Sequence, residues 1–313
     1  MDWPSGGFIA GTTCGLAIGF FAAICDFRNI AGPVRQVKLD LSLNRSRLFP
    51  IWTFAFPIAI SVGLNWTQFH SYRLFLEELS SLQYLGLFVS GYMVSAGLLG
   101  AFETTVQQIF YPLFYKEISE SDKTQQAISW QKYSSLMIPV TLLVAGALVL
   151  LTDPLVHFML DEKFWGVKYF VWIGCFIESC RIIGNVYNIG AHATKETKIL
   201  VSAQAVGALI VLIGTPIAIK YGGTNHFPWV LILAGITYVG VLHNRVVDHL
   251  GRSLLWGQFK YFLAFVPFAL LGWRASGFLD TKISTYTIYA VQFVIVSIGL
   301  SLSFLWLWKK ELR

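Results

Sequence analysis

Nine apolar stretches, each long enough to cross a bilayer as helix, alternate along this chain with loops whose lysines and arginines fall mostly on every second loop. A span needs about 20 mostly apolar residues to cover about 30 Å of hydrocarbon. The candidates are 7–25, 50–66, 85–110, 135–151, 167–187, 199–219, 228–243, 259–273 and 286–308. Their apolar runs are continuous instead of alternating, which calls for helices and not a β-barrel. Charged residues make up 13% of the chain, against about 25% in soluble domains, too few to coat a water-soluble surface of this length. The expected fold is therefore all-α, a polytopic helical membrane protein of about nine transmembrane helices.

Loop charge gives the orientation. Fifteen of the 23 basic residues lie on one side: Arg28, Arg35, Lys38, Arg45 and Arg47 in the first loop, then Lys116, Lys123, Lys132, Lys195, Lys198, Arg245, Arg252, Lys309, Lys310 and Arg313. The intervening loops hold five, namely Arg73, Lys163, Lys220, Arg274 and Lys282. The positive-inside rule puts the first group and the C-terminus in the cytoplasm, and nine crossings leave the N-terminus outside. Residues 1–6 carry no charged leader that would export them. Either the first helix inserts with its N-terminus out or an odd number of preceding spans is missing, and a missing front lobe of about five spans is the expectation. The net charge of +6 is the same inside bias in bulk and implies no nucleic acid.

Polar and small residues within the spans carry the remaining information. Gly7, Gly11, Gly15 and Gly19 recur at spacing four on the first span, a face that lets another helix approach closely. Pro57, Pro139 and Pro216 sit inside spans, where each frees a carbonyl and bends its helix. All four cysteines fall in spans, where small-residue packing is expected. No phosphate-binding loop, zinc-spaced His and Cys cluster or serine nucleophile elbow is present.

Two spans bury charge. Glu103 lies within the third, with Gln107 one turn on; the plain expectation is a hydrogen bond between them, and the functional one a cavity-lining proton or cation site. In the fifth, Glu178, Arg181, Asn185, Asn188 and His192 follow offsets of 3, 7, 10 and 14 and form one polar stripe. Such a stripe faces water or other polar helices. Arg181 is the best candidate for an anionic group, since its planar fork suits phosphate oxygens. Arg73, at the outer end of the second span, reads either as an interfacial anchor or as a second anion contact.

The run RLFLEELSSLQYLGLF at 73–88, followed by a long span ending YPLF at 111–114, resembles the seventh and eighth helices of Wzx-type oligosaccharide flippases of the multidrug/oligosaccharidyl-lipid/polysaccharide (MOP, MATE-like) superfamily. KFWG at 163–166 and AHATKET at 191–197 extend the similarity. Arg73 matches the family's arginine, but Tyr72 stands where the family has an acid. The resemblance implies that 1–48 is the last helix of an N-lobe plus a basic cytoplasmic linker, 49–244 a six-helix C-lobe and 245–313 two additional C-terminal helices. It also implies no enzymatic activity, no cofactor and no metal. The implied function is alternating-access movement of undecaprenyl-pyrophosphate-linked oligosaccharide across the bacterial inner membrane, for O-antigen, capsule or exopolysaccharide, driven by a proton or sodium gradient. Arg181, Arg73, Asn185 and Asn188 would then bind substrate, and Glu103 and Glu178 would couple the ion. The competing expectations are a glycosyl- or acyltransferase acting on lipid-linked sugars, for which His157 and Asp161 are available, and an inactive remnant. The missing lobe or glycan polymerase machinery would be partners of the flippase.

Overall fold

The computed structural model describes residues 14–15, 17–22, 45–119, 121–193, 197–250, 265–271 and 285–311, and every regular element among them is helical. The long helices are α1 (Arg45–His70), α3 (Leu82–Ser119), α4 (Lys123–Leu150), α6 (Lys168–Ala193), α7 (Lys198–Ile217), α8 (Phe227–Leu250) and α9 (Thr285–Glu311), with short helices α2 (Tyr72–Leu79) and α5 (Thr152–Met159) between them. Six segments among the described residues are long and apolar enough to cross a membrane: Leu82–Ile118, Lys123–Leu150, Glu162–Ala193, Lys198–Gly222, Thr224–His249 and Tyr286–Trp306. These overlap six of the nine expected spans. The expected second span lies within α1, which has the length but carries Thr53, Ser61, Asn65, Thr67 and Gln68 along it. Of the first span only 14–15 and 17–22 are described, and of the eighth only 265–271, all helical. Gly7 and Gly11 lie outside the described residues; Gly15 and Gly19 have open space where a side chain would go.

The chain divides into two compact units, Met1–Ile51 and Trp52–Arg313, and the packing below belongs to the second. In it α6 is central: α3, α4 and α8 all run against it, α7 pairs with α8, and α9 lies on α4. Trp52, Leu113, Phe158, Ile213, Trp229 and Leu305 are exposed among many other large apolar side chains of this unit. A surface of that kind is suited to lipid and not to water.

The segment 67–84, between the expected second and third spans, is not an open loop. It holds α2, an amphipathic helix with Tyr72 and Leu76 buried and Glu77 and Glu78 exposed. The third span also runs on past its apolar stretch: α3 has 38 residues with Pro112 inside it, about 57 Å of helix at about 1.5 Å per residue. After Pro216 the backbone widens into a π-turn over Ala218–Gly222, the local slack that a missing amide hydrogen produces.

α3 and α6 touch through small residues. A Cβ on Gly91 would sit 2.7 Å from Phe170 Cβ and 2.9 Å from the Val167 carbonyl oxygen, and one on Gly174 would run into Ser95. Helices without side chains at the contact approach closely and gain dispersion contacts, the usual adhesive where lipid removes the hydrophobic drive. Gly91→Ala adds a steric cost of about 1–3 kcal/mol, offset by about 1 kcal/mol of better helix propensity. A net loss of about 1 kcal/mol is expected, read as a lower unfolding midpoint in mixed detergent micelles.

Aromatic rings fill one end of this unit. Phe88, fully buried, lies 4.7 Å from Phe227, 5.2 Å from Tyr72 and 5.4 Å from Phe170 between ring centroids. Further along α6, the Trp130 indole N–H donates to the Val186 carbonyl at 3.1 Å and ties α4 to α6.

Candidate functional site

Three ionisable side chains meet between α3 and α6. Arg181 donates from Nη2 to Glu103 Oε2 at 2.8 Å and from Nε to Glu178 Oε2 at 2.7 Å. Glu103 and Glu178 are buried, at 6% and 3% exposure. Their remaining oxygens are also supplied. Glu103 Oε1 accepts from Asn185 Nδ2 at 2.7 Å and from Gln107 Nε2 at 2.9 Å, and Glu178 Oε1 accepts from the Tyr92 hydroxyl. Asn188 Nδ2 continues the line to Asn185 Oδ1 at 3.3 Å.

Helix periodicity on both partners produces this meeting. Glu178, Arg181, Asn185 and Asn188 recur every three or four residues on α6 and so share a face. On α3, Tyr92 and Glu103 are eleven residues apart, close to three full turns, so both point at that stripe. The close α3–α6 approach at Gly91 and Gly174 brings the two faces within hydrogen-bond reach. Two carboxylates against one guanidinium leave the cluster with one negative charge in excess. Burying an uncompensated charge costs several kcal/mol, on the order of 2.5–3.5 kcal/mol on insertion scales.

The stripe then opens on a cavity of about 200 Å³ between α1, α6 and α7, where Ser61, Asn65, Asn185, Asn188, His192 and Gln204 supply the polar lining. Ser61 donates to Gln204 Oε1 at 2.5 Å, and Asn188 Oδ1 is buried without a hydrogen-bond partner. No side chain in that lining carries a fixed charge, so the cavity suits water or a neutral polar ligand.

Arg73 lies apart from the cluster, half-buried in α2, with its guanidinium 5.9 Å from the centre of the Tyr72 ring. Its Nε is buried without a hydrogen-bond partner, and so is the Tyr72 hydroxyl. Burial pushes the Tyr72 phenol above its ordinary range, with Arg73 acting against that rise. Burial first, and Arg73 after it, hold His70 below the ordinary imidazole value.

The six residues singled out from the sequence thus separate. Glu103, Glu178, Arg181 and Asn185 form one hydrogen-bonded cluster, Asn188 joins it to the cavity, and Arg73 stands elsewhere. Sequence reasoning missed Tyr92, whose signal is its eleven-residue offset from Glu103. The two residues available to a transferase do not pair. His157 Nδ1 lies 2.8 Å from the Asp153 carbonyl and its ring is 4.1 Å from Trp165, while Asp161 accepts from the Lys163 backbone N–H at 3.3 Å. No group of three or more His, Cys, Asp or Glu side chains that could hold a metal occurs among the described residues. No protein-family model, curated protein or solved structure matches the chain.

Proposed function

We propose that this chain is a membrane translocator and not an enzyme, the lobe of a flippase that carries undecaprenyl-pyrophosphate-linked oligosaccharide across a bacterial inner membrane by alternating access. The observation that carries the transport reading is the Glu103–Arg181–Glu178 cluster with its excess negative charge. Structural glue between two helices is served by a neutral pair, whereas an unbalanced triad invites a mobile positive charge. The cavity lined by Asn185, Asn188 and His192 adjoins it, so a change at the cluster has an aqueous compartment to act on. The oligosaccharide part rests on the resemblance of residues 73–88 and 111–114 to flippase helices.

Arg181 is the pivot of this reading. Two of its N–H groups are held by carboxylates, so it turns towards a pyrophosphate when one carboxylate is neutralised. Cation uptake and anion binding are then linked through one side chain. Arg73, with an unpartnered buried Nε, is the second anion contact, at the end of the bundle that the loop charges assign to the outside.

The test is glycan export in cells that rely on this protein. Glu103→Gln and Glu178→Gln each remove a charge-assisted hydrogen bond worth about 1.5–3 kcal/mol, so surface glycan is expected to fall about tenfold or more at unchanged protein level. Complete lipid-linked oligosaccharide should accumulate on the cytoplasmic side. Wild-type export by both variants would sink the transport reading, and accumulation of an unfinished glycan would favour a transferase.

A further inference from the structure

The hydrogen-bond inventory of the cluster distinguishes its two acids. Glu103 is met only by nitrogens that carry protons to give: the Arg181 guanidinium and the side-chain amides of Asn185 and Gln107. None of these atoms can accept, so a proton on Glu103 has nowhere to point without breaking one of three contacts. Glu178 is different. One oxygen is fixed by Arg181 Nε, but the other faces the Tyr92 hydroxyl, and a hydroxyl can donate or accept with only a turn of its O–H bond. Glu178 is the acid that takes up a proton with its contacts intact.

When it does, the Tyr92 proton must swing elsewhere, and the hydroxyl-bearing ring packed against Tyr92 is Tyr72. The two rings meet edge to face with centroids 6.4 Å apart, and the Tyr72 hydroxyl is 1% exposed by residue and without a hydrogen-bond partner. Beyond Tyr72 stand Arg73 and His70, both half-buried at the junction of α1 and α2. The negative charge of Glu178 is felt at Tyr92, Tyr72 and His70 alike. The other titratable or charged groups around it are Arg181 and Cys175 on α6 and Glu103 on α3, with Tyr238 of α8 acting on Arg181 and Tyr133 of α4 on Glu103. Among the described residues, Tyr111 and Tyr133 lie on the Glu103 side of the cluster, and Tyr92 and Tyr72 are the tyrosines that lead away from Glu178.

We propose that Glu178 is the proton-binding group of this cluster and that Tyr92 and Tyr72 are its proton path to the end of the bundle where α1 meets α2. A proton from water at that end reaches Tyr72, which passes one of its own to Tyr92 directly or across one water. Tyr92 in turn protonates Glu178 Oε1, and each phenol ends with the proton count it began with. The carboxylate becomes a neutral acid, the charge of the cluster goes from minus one to zero, and the hold of Glu178 on Arg181 weakens. The inference deepens the coupling role proposed above but not the cargo, so its test is independent of glycan.

The full-length protein, reconstituted in liposomes, is examined by infrared difference spectroscopy after an external acid jump. The expected result is a carbonyl band of a buried carboxylic acid that is absent in Glu178→Gln. Tyr92→Phe should shift the frequency of that band, because its hydrogen-bond partner is gone. Tyr72→Phe should leave the band in place and slow its appearance about tenfold or more, the scale on which a positioned proton donor acts. A band that survives Glu178→Gln, or wild-type kinetics in Tyr72→Phe, would overturn the assignment. If Glu178→Gln does not fold, the frequency in Tyr92→Phe decides: an unmoved band overturns it. Wild-type glycan export by Glu103→Gln and Glu178→Gln, with the infrared response as expected, would count against the flippase reading alone.

Discussion

Arg181→Met is expected to lower the stability of the helix bundle by about 3–5 kcal/mol, the cost of removing one partner from a buried ion pair. The loss comes from what remains. Glu103 and Glu178, at 6% and 3% exposure, would face each other across α3 and α6 with no cation between them. Methionine keeps most of the volume and removes the charge, so packing changes little and electrostatics dominate. If that account holds, adding Glu103→Gln and Glu178→Gln to Arg181→Met should bring stability back to within about 1 kcal/mol of the parent, since neutral replacement of a buried charge network is often costless. The surface pair Lys168–Asp153, whose side chains are 41% and 45% exposed, is the internal control: Lys168→Met should cost less than about 1 kcal/mol. Unfolding midpoints across a denaturing-detergent series measure all three. A triple variant no more stable than Arg181→Met would mean that the arginine acts through packing and not charge.

Phe88→Ala is expected to be the most costly of the apolar truncations, at about 2–2.5 kcal/mol. In water-soluble cores Phe→Ala costs about 3–5 kcal/mol, part of it transfer from water and part the cavity. For a helix unfolding within lipid the transfer part falls away, because the ring moves from one apolar surrounding to another. The cavity part stays: about 100 Å³ at about 24 cal/mol per Å³. Phe88 is fully buried against Tyr72, Tyr92, Phe170 and Phe227, a rigid surrounding of rings that leaves little room for collapse. Phe88→Leu should recover more than half of the loss. The same detergent series reads both, and a Phe88→Ala midpoint equal to that of the parent would show that the ring cluster repacks freely.

Hydropathy made the helical class and most of the long helices legible, because a span has to satisfy its backbone internally and stay apolar for about 20 residues. It did not reveal α2. Arg73, Glu77 and Glu78 make that segment polar on average, although Tyr72 and Leu76, one turn apart, already mark a buried face. The polar stripe on α6 was readable from its 3.6-residue period. So was the Gln107–Glu103 bond, a contact within one helix. Pairing of Glu103 with Arg181, 78 residues away, is a fact of tertiary packing that no single-helix period encodes. Tyr92 was hidden for a further reason: in an apolar run a tyrosine reads as bulk, and only its partner on α6 turns the hydroxyl into part of the cluster.

The same separation along the chain bears on how the protein is made. Glu178 and Arg181 lie on one helix and enter the membrane as a self-neutralising couple. Glu103 belongs to α3, which leaves the ribosome well before α6, and until α6 docks Gln107 is its one hydrogen-bond partner among the described residues. Through the synthesis of α4 and α5 this acid travels either as its neutral form or in the shelter of the insertion machinery. Docking of α6 is therefore the step that lets α3 settle in lipid with its charge on, and the order of helices in the chain sets the order in which the bundle can close.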